Sequence, residues 1–215
     1  MRGMFVVLAL ALAGSPSAAE VCAPATLTKV VTRSVGPDIA PGTFRAAPVT
    51  LYRQGDRFVR IEEAPDPTTG VHLLSVVAEP DIWMVNRAAR TGKHIVDPGP
   101  SLIARAPIVA GQGVPPEFVE LEFGCEAAFA ERRGYDAGTR QVGGTLARVR
   151  AFVIGSHRLE VLLSPQGAPA EVAYYRGERT ILVIRYDAYQ TRLPDAPELF
   201  RRPEGITYET ASTPR

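Results

Sequence analysis

Residues 52–98 read YRQGDRFVRIEEAPDPTTGVHLLSVVAEPDIWMVNRAARTGKHIVDP, and the way this stretch pairs with itself decides the fold. The runs 56–63, 71–79, 81–87 and 91–97 are rich in β-branched and aromatic residues. Between them lie residues 65–70, the Glu79-Pro80-Asp81 corner and residues 87–92, which supply the Gly, Pro and Asp of tight turns. Such short runs with such short connections pair antiparallel, because a parallel crossover needs about a dozen residues or more. The stretch therefore predicts the centre of a meandering sheet. Strand alternation groups Val59 with Ile61, Leu74 with Val76, and Trp83 with Val85. Together these are read as one apolar face, with Leu73, Val77, Ile82 and Met84 interrupting the pattern.

Upstream, residues 26–34 (TLTKVVTRS) and 47–53 (APVTLYR) predict two further strands. Downstream of Gly143-Gly144 a second ladder of hairpins runs through residues 145–154, 157–163, 170–176 and 180–186. In it Leu159 and Val161 alternate with Arg158 and Glu160, and Ala147, Val149 and Ala151 with Arg148 and Arg150. The last of these strands is apolar on both sides, so its far side also needs a cover. Leu199-Phe200 with Pro203 reads as a tail that docks a hydrophobic anchor.

Between the ladders the period changes. Residues 101–106 predict a short turn capped by Ser101 and stopped by Pro107. In EFVELEFGCEAAFAERRG (residues 117–134), Phe118, Leu121, Cys125, Ala128 and Phe129 form a helical stripe. Acidic residues load its start and Arg132-Arg133-Gly134 ends it. VELEF also alternates as a strand would, and Gly124 costs a helix about 1 kcal/mol. The helix is the expected form, lying across the sheet. The fold class is thus mainly β with a helical insert, with about ten antiparallel strands; a sheet that large tends to curl.

The chain opens MRGMFVVLALALAGSPSAAE. Arg2, the apolar run to Ala13 and Ser17-Ala18-Ala19 form a signal peptide, residues 1–19, so the protein is expected to be exported. That run is too short to span a membrane, which takes about 20 residues, so an integral membrane protein is not expected. Residues 20–209 are expected to form one domain and residues 210–215 a loose tail. A formal net charge of +1 leaves no basic field to attract nucleic acid. Two cysteines, Cys22 and Cys125, favour one disulfide in an exported chain, with two separate thiols as the alternative.

No catalytic motif is present: no Gly-x-Ser-x-Gly elbow, phosphate loop or dinucleotide fingerprint. His72, His94 and His157 fall at no metal-ligand spacing, so neither a metal site nor a cofactor is expected. The chain reads as non-enzymatic, with a hydrolase assembled from distant positions as a third reading.

Several features occur in an order that resembles the periplasmic lipoprotein carriers and related outer-membrane lipoprotein-sorting proteins. They are Tyr52 with Gly55-Asp56 and Val59-Arg60-Ile61; Trp83-Met84-Val85-Asn86 ahead of Lys93; residues 138–144 opening residues 146–152; Gly167-Ala168-Pro169; and Leu199-Phe200-Arg201-Arg202-Pro203. The resemblance implies a periplasmic location and a strongly curved antiparallel sheet, a half-barrel with a helix lid, whose concave apolar face binds acyl chains. It implies a non-enzymatic carrier of a lipid or lipidated protein. One departure is plain: the carriers begin with an amphipathic helix, whereas residues 22–34 here read as strand.

The ligand-binding face is expected to comprise Val59, Ile61, Leu74, Val76, Trp83, Val85, Leu159 and Val161. The competing reading fills that face with the insert, leaving a closed core. Trp83 is either a ligand platform or a core residue whose N–H bonds backbone. A closed-core protein could instead dock a cell-envelope partner through an arginine-rich face carrying Arg148, Arg150 and Arg158, although such ladders are usually solvated ion pairs.

Overall fold

A computed structural model describes residues 22–97 and 104–210. The expected signal peptide, most of the turn at 101–106 and residues 211–215 lie outside the described residues; Ala104 to Ala106 are not helical. The first ladder holds β1 (Leu27–Ser34), β2 (Val49–Gln54), β3 (Phe58–Glu63), β4 (Leu73–Ala78), β5 (Asp81–Asn86) and β6 (Thr91–Val96). The second holds β7 (Tyr135–Val142), β8 (Thr145–Ile154), β9 (His157–Leu163), β10 (Pro169–Arg176) and β11 (Arg179–Leu193), and β12 (Thr207–Thr210) follows. They form one twelve-stranded sheet in the order β12-β6-β5-β4-β3-β2-β1-β11-β10-β9-β8-β7.

The seam is the antiparallel pairing of β1 with β11, from Leu27 opposite Leu193 to Ser34 opposite Ile184. It joins two meanders edge to edge. The expectation of an antiparallel sheet needs one correction: β12 runs parallel to β6, so the sheet is mixed. It ends on β12 and β7 and is not closed into a barrel. The two strands not expected have weak patterns. Seven of the eight residues of β7 are exposed, leaving no buried face to alternate. β12 is a four-residue edge strand. Where β7 turns into β8, Gly143 and Gly144 have φ of 56° and 82° between the paired Val142 and Thr145. A two-residue hairpin that follows strand twist needs both signs positive.

The main cluster of each meander is closed by a different segment. The insert, residues 104–134, covers β8 to β11. Its Phe118, Leu121, Phe129 and Ala130 pack with Leu159, Val161, Leu163, Val172 and Tyr174. The tail after β11 covers β4 and β5, where Phe200 packs with Leu27, Leu74, Val76, Trp83 and Val85. Its ring lies 5.3 Å from that of Phe58. This is the expected hydrophobic anchor. Burying each such side chain contributes about 1.5–3 kcal/mol. The doubly apolar β11 is covered in part: Leu182 and Ile184 pack under the insert, while Ile181 stays exposed.

The expected helix across residues 117–133 is half as long as its stripe. A 3-10 turn spans Pro116–Glu120, a β-bridge pairs Pro107 with Glu122, and the α-helix α1 spans only Glu126–Arg133. Gly124 explains the break. Its φ is +86°, outside any right-handed helix, and a Cβ there would meet Pro24 Cγ at 3.2 Å. The strand-like alternation of VELEF is what the bridge uses.

Cys22 and Cys125 form a disulfide with Cα atoms 6.0 Å apart across 103 residues, tying the start of the sheet to the start of α1. Loop closure of that length is worth about 4–5 kcal/mol in the chain-entropy model. Beside it, the fully buried Arg53 holds the insert down. Its guanidinium donates to the Phe123 and Cys22 carbonyls, both at 3.0 Å, and pairs with Glu122 at 2.6 Å. Glu122 also accepts from Arg105 at 2.7 Å and from the Ala106 N–H at 3.1 Å.

Candidate functional site

Cross-strand partners share a face, so register tests whether the eight expected residues form one surface. Arg60 lies opposite Val76, and Val59 opposite Val77. Val76 lies opposite Trp83, and Leu74 opposite Val85. Val59 and Ile61 therefore lie on one face, and Leu74, Val76, Trp83 and Val85 on the other. Following the ladder through Leu51, Val30, Tyr189 and Ile184 to Val172 and Val161 carries the Val59 face to Leu159 and Val161. The single expected face is thus two. Leu74, Val76, Trp83 and Val85 face the tail, and the other four share the face the insert covers. Alternation within each strand holds, but a one-residue choice of register moves a whole strand to the opposite side.

The eight side chains pack into separate clusters, and seven are buried. Val59, Val76, Trp83, Leu159 and Val161 line none of four main cavities that open between described residues. Under the insert, Phe118 and Leu121 fill the space. Trp83 stacks on His94 with ring centres 5.5 Å apart, and His94 Nε2 lies 2.7 Å from Asp81 Oδ1. The expected backbone bond to the indole is not made: Nε1 is buried without an acceptor among the described residues.

The arginine face also divides. Arg148 lies opposite Leu163 and Arg150 opposite Val161, so both are on the insert's side. There Arg148 pairs with Glu131, and Arg150 donates to the Gly134 carbonyl at the end of α1. Arg158 lies on the other face, pairing with Glu160 at 3.2 Å and sitting 4.3 Å from the centre of the Tyr175 ring.

What remains open on the insert's face is its outer end. Met84 is 52% exposed, Leu73 40% and Ile95 36%. Register places them with Ser75, Val77 and Ile82 on the side of Val59 and Ile61. The insert reaches Val59, Ile61 and Val77 through Ala104 and Ala106. Beyond it, Leu73, Ser75, Met84, Lys93 and Glu209 border a groove of about 490 Å3. Leu73 and Met84, which break the apolar alternation in sequence, belong to this open end.

A second buried group lies under the insert. Glu126, the first residue of α1, is fully buried and accepts from the Tyr186 hydroxyl at 2.8 Å. Burial pushes its carboxyl up to about 7, against the opposing pull of that hydrogen bond. Burial also raises the Tyr186 and Tyr189 hydroxyls, with the Glu126 charge adding to it. Among the described residues no group of three or more His, Cys, Asp and Glu is placed to hold a metal ion, and no helix is long and apolar enough to cross a membrane.

No protein-family model matches the sequence, and no curated protein matches it at a significant level. Among solved structures, the chain is similar to an uncharacterized conserved protein from Thermus thermophilus. The TM-score is 0.50 at 9% identity, over 86% of this chain and 91% of that one. PNGF-II aligns at a TM-score of 0.36 and 10% identity, over 87% of this chain and 32% of that one. The first likeness concerns the fold alone.

Proposed function

We propose that this chain is an exported, non-enzymatic binding protein of the cell envelope, periplasmic in location, that shelters a lipid or acyl chain on its sheet. The binding surface is the outer end of the insert's face, around Leu73, Met84 and Ile95, and not the full set of eight residues. The observation that carries this reading is the exposure of those three large apolar side chains on one face, with Leu73 and Met84 bordering the 490 Å3 groove. Contiguous exposed apolar area marks interaction sites, and each Å2 removed from water there contributes about 25 cal/mol. A sheet bent into a half-barrel, as in the carriers the sequence resembles, would fold this end around a chain.

The test is organic extraction of the exported protein followed by mass spectrometry, with titration of a fluorescent fatty acid. Stoichiometric lipid, and uptake that Met84→Asp abolishes, are expected. A protein that carries no lipid and takes up no probe overturns the reading. That outcome selects the second one, a closed-core module that docks a cell-envelope protein, which the burial of Phe118 and Phe200 in their clusters favours.

A further inference from the structure

On the sheet face opposite the groove, a cavity of about 680 Å3 opens between the first meander and the returning tail. Arg60 from β3 and Arg87 just past β5 reach it from the sheet. Arg90 comes from the β5–β6 turn, and Arg201 and Arg202 from the tail. Register puts Arg60, Leu74 and Arg87 on one side, since Arg60 faces Val76 and Leu74 faces Val85. The Thr207 N–H donates to the Arg90 carbonyl at 2.9 Å, which pins the tail against the turn and brings the two arginine groups together. Five arginines against Glu198 and Glu204 leave the lining at a formal +3 (5 − 2).

The protein itself meets part of this charge. Glu62 pairs with Arg60 at 3.2 Å and with Arg87, and Arg202 lies 4.6 Å from the centre of the Tyr208 ring. The side chains of Arg90 and Arg201 make no ion pair among the described residues. Arg60 is the more informative. Its side chain is only 15% exposed and one Nη donates to the Leu199 carbonyl at 3.1 Å, yet its Nε is buried without an acceptor among the described residues. A buried charged donor left unmatched is costly, and here it adjoins a cavity lined by like charges. An anion in the cavity would offset those like charges.

We propose that this cavity binds the phosphate group of an organic phosphate. A monoester carries about −1.5 to −2 at neutral pH, which suits a +3 lining better than a single carboxylate. Guanidinium forks match phosphate oxygens in pairs. The volume exceeds what a bare phosphate needs and lies in the range of small-molecule sites, about 300–1,000 Å3. Leu74 and Ile206 line the same space and receive the apolar part of the ligand. The site is on the other face from the acyl groove and does not depend on it.

Two probes separate a soluble ester from a lipid headgroup: sn-glycerol 3-phosphate, and phosphatidylcholine vesicles with or without phosphatidic acid. The exported full chain is titrated with the first while the fluorescence of Trp83, the only tryptophan, is followed; flotation reads the second. Binding of glycerol 3-phosphate, weakened by salt, assigns a soluble ester. Flotation only with phosphatidic acid assigns a headgroup. Arg90→Glu with Arg201→Glu alters exposed side chains that hold nothing in the fold; it is expected to keep the thermal midpoint and lose at least about tenfold in affinity. Arg60→Met is the second variant, with the same expected loss. The proposal is overturned if neither probe binds below about 10 mM, or if the double variant binds as the parent does. Fatty-acid uptake unchanged in the double variant keeps this outcome separate from that of the acyl groove.

Discussion

The two meanders use the same local pattern, and their main buried clusters lie on opposite faces. In the second, Leu159, Val161, Val172 and Tyr174 point toward the insert, which is held by Phe118, Leu121 and Phe129. In the first, Leu74, Val76, Trp83 and Val85 point the other way and are closed by Phe200 and the tail. The meanders are continuous through β1 and β11, so the sheet itself has no inner and outer side. What makes a face interior is the segment that returns to cover it. The first meander therefore has an insert-side face beyond the insert's reach, where Leu73, Met84 and Ile95 stay open. The far side of the second mixes ion pairs, Arg140 and Arg158 with Glu160 and Arg185 with Glu171, with a small buried cluster of Val142, Ala147, Val149 and Leu162.

The strongest way to break this comparison is to remove each anchor. Phe118→Ala and Phe200→Ala are each expected to cost about 3–5 kcal/mol in chemical denaturation. Hydrogen exchange should tell them apart. Phe200→Ala should loosen the amides of β4 and β5 and leave β9 and β10 protected, with Phe118→Ala doing the reverse. Equal loosening of both meanders by either variant would mean that they are one cooperative unit.

Next in size is the disulfide. Cys22→Ser with Cys125→Ser is expected to lose about 2–5 kcal/mol, and to loosen the insert and β1 before the tail-covered β4 and β5. Thermal unfolding with and without reductant checks the first part; protection of β4 and β5 in the reduced protein checks the second.

Glu126 provides a pH test of the insert alone. Its carboxyl titrates near 7 in the fold and near its ordinary 4.5 when unfolded. The folded state thus holds the extra proton, so the stability this supplies is complete below about pH 4.5 and is lost as pH rises through about 7. The difference amounts to as much as roughly 3 kcal/mol. Glu126→Gln should flatten that decline and be more stabilising at about pH 8 than at about pH 4. A variant whose stability follows the parent's pH curve would remove Glu126 as the cause.

The smallest effect on stability belongs to the open end. Leu73→Ser and Met84→Ser should shift stability by less than about 0.5 kcal/mol, as surface positions do, while weakening fatty-acid uptake. A large loss of stability would mean that this end is covered in the folded protein. Unchanged uptake would place the ligand elsewhere.

Much of this arrangement was legible. Ten of the twelve strands, the turn glycines and the Phe200 anchor follow from residue types close together in the chain, and the disulfide was favoured only because the chain has two cysteines. The buried charges were not. Arg53, Glu122 and Glu126 sit among ordinary polar neighbours in sequence, and nothing local marks them as buried. The arginine cavity was equally hidden, because Arg60, Arg87 and Arg201 come together only when the tail crosses the sheet. Leu73 and Met84 did leave a trace, as apolar residues on the wrong side of an alternation, but only register explains them.

The sequence by itself determined ten of the twelve strands, their antiparallel succession within each ladder and which residues alternate along each one. These are consequences of φ/ψ preference, turn chemistry and a period of two, all acting within a few residues. Only the tertiary structure decided that Val59 and Val76 face opposite ways, that β12 returns parallel to β6, and that the insert and the tail cover different faces. Those outcomes rest on register and on contacts between segments more than a hundred residues apart, such as Cys22 with Cys125 and Arg60 with Leu199. No local propensity encodes them.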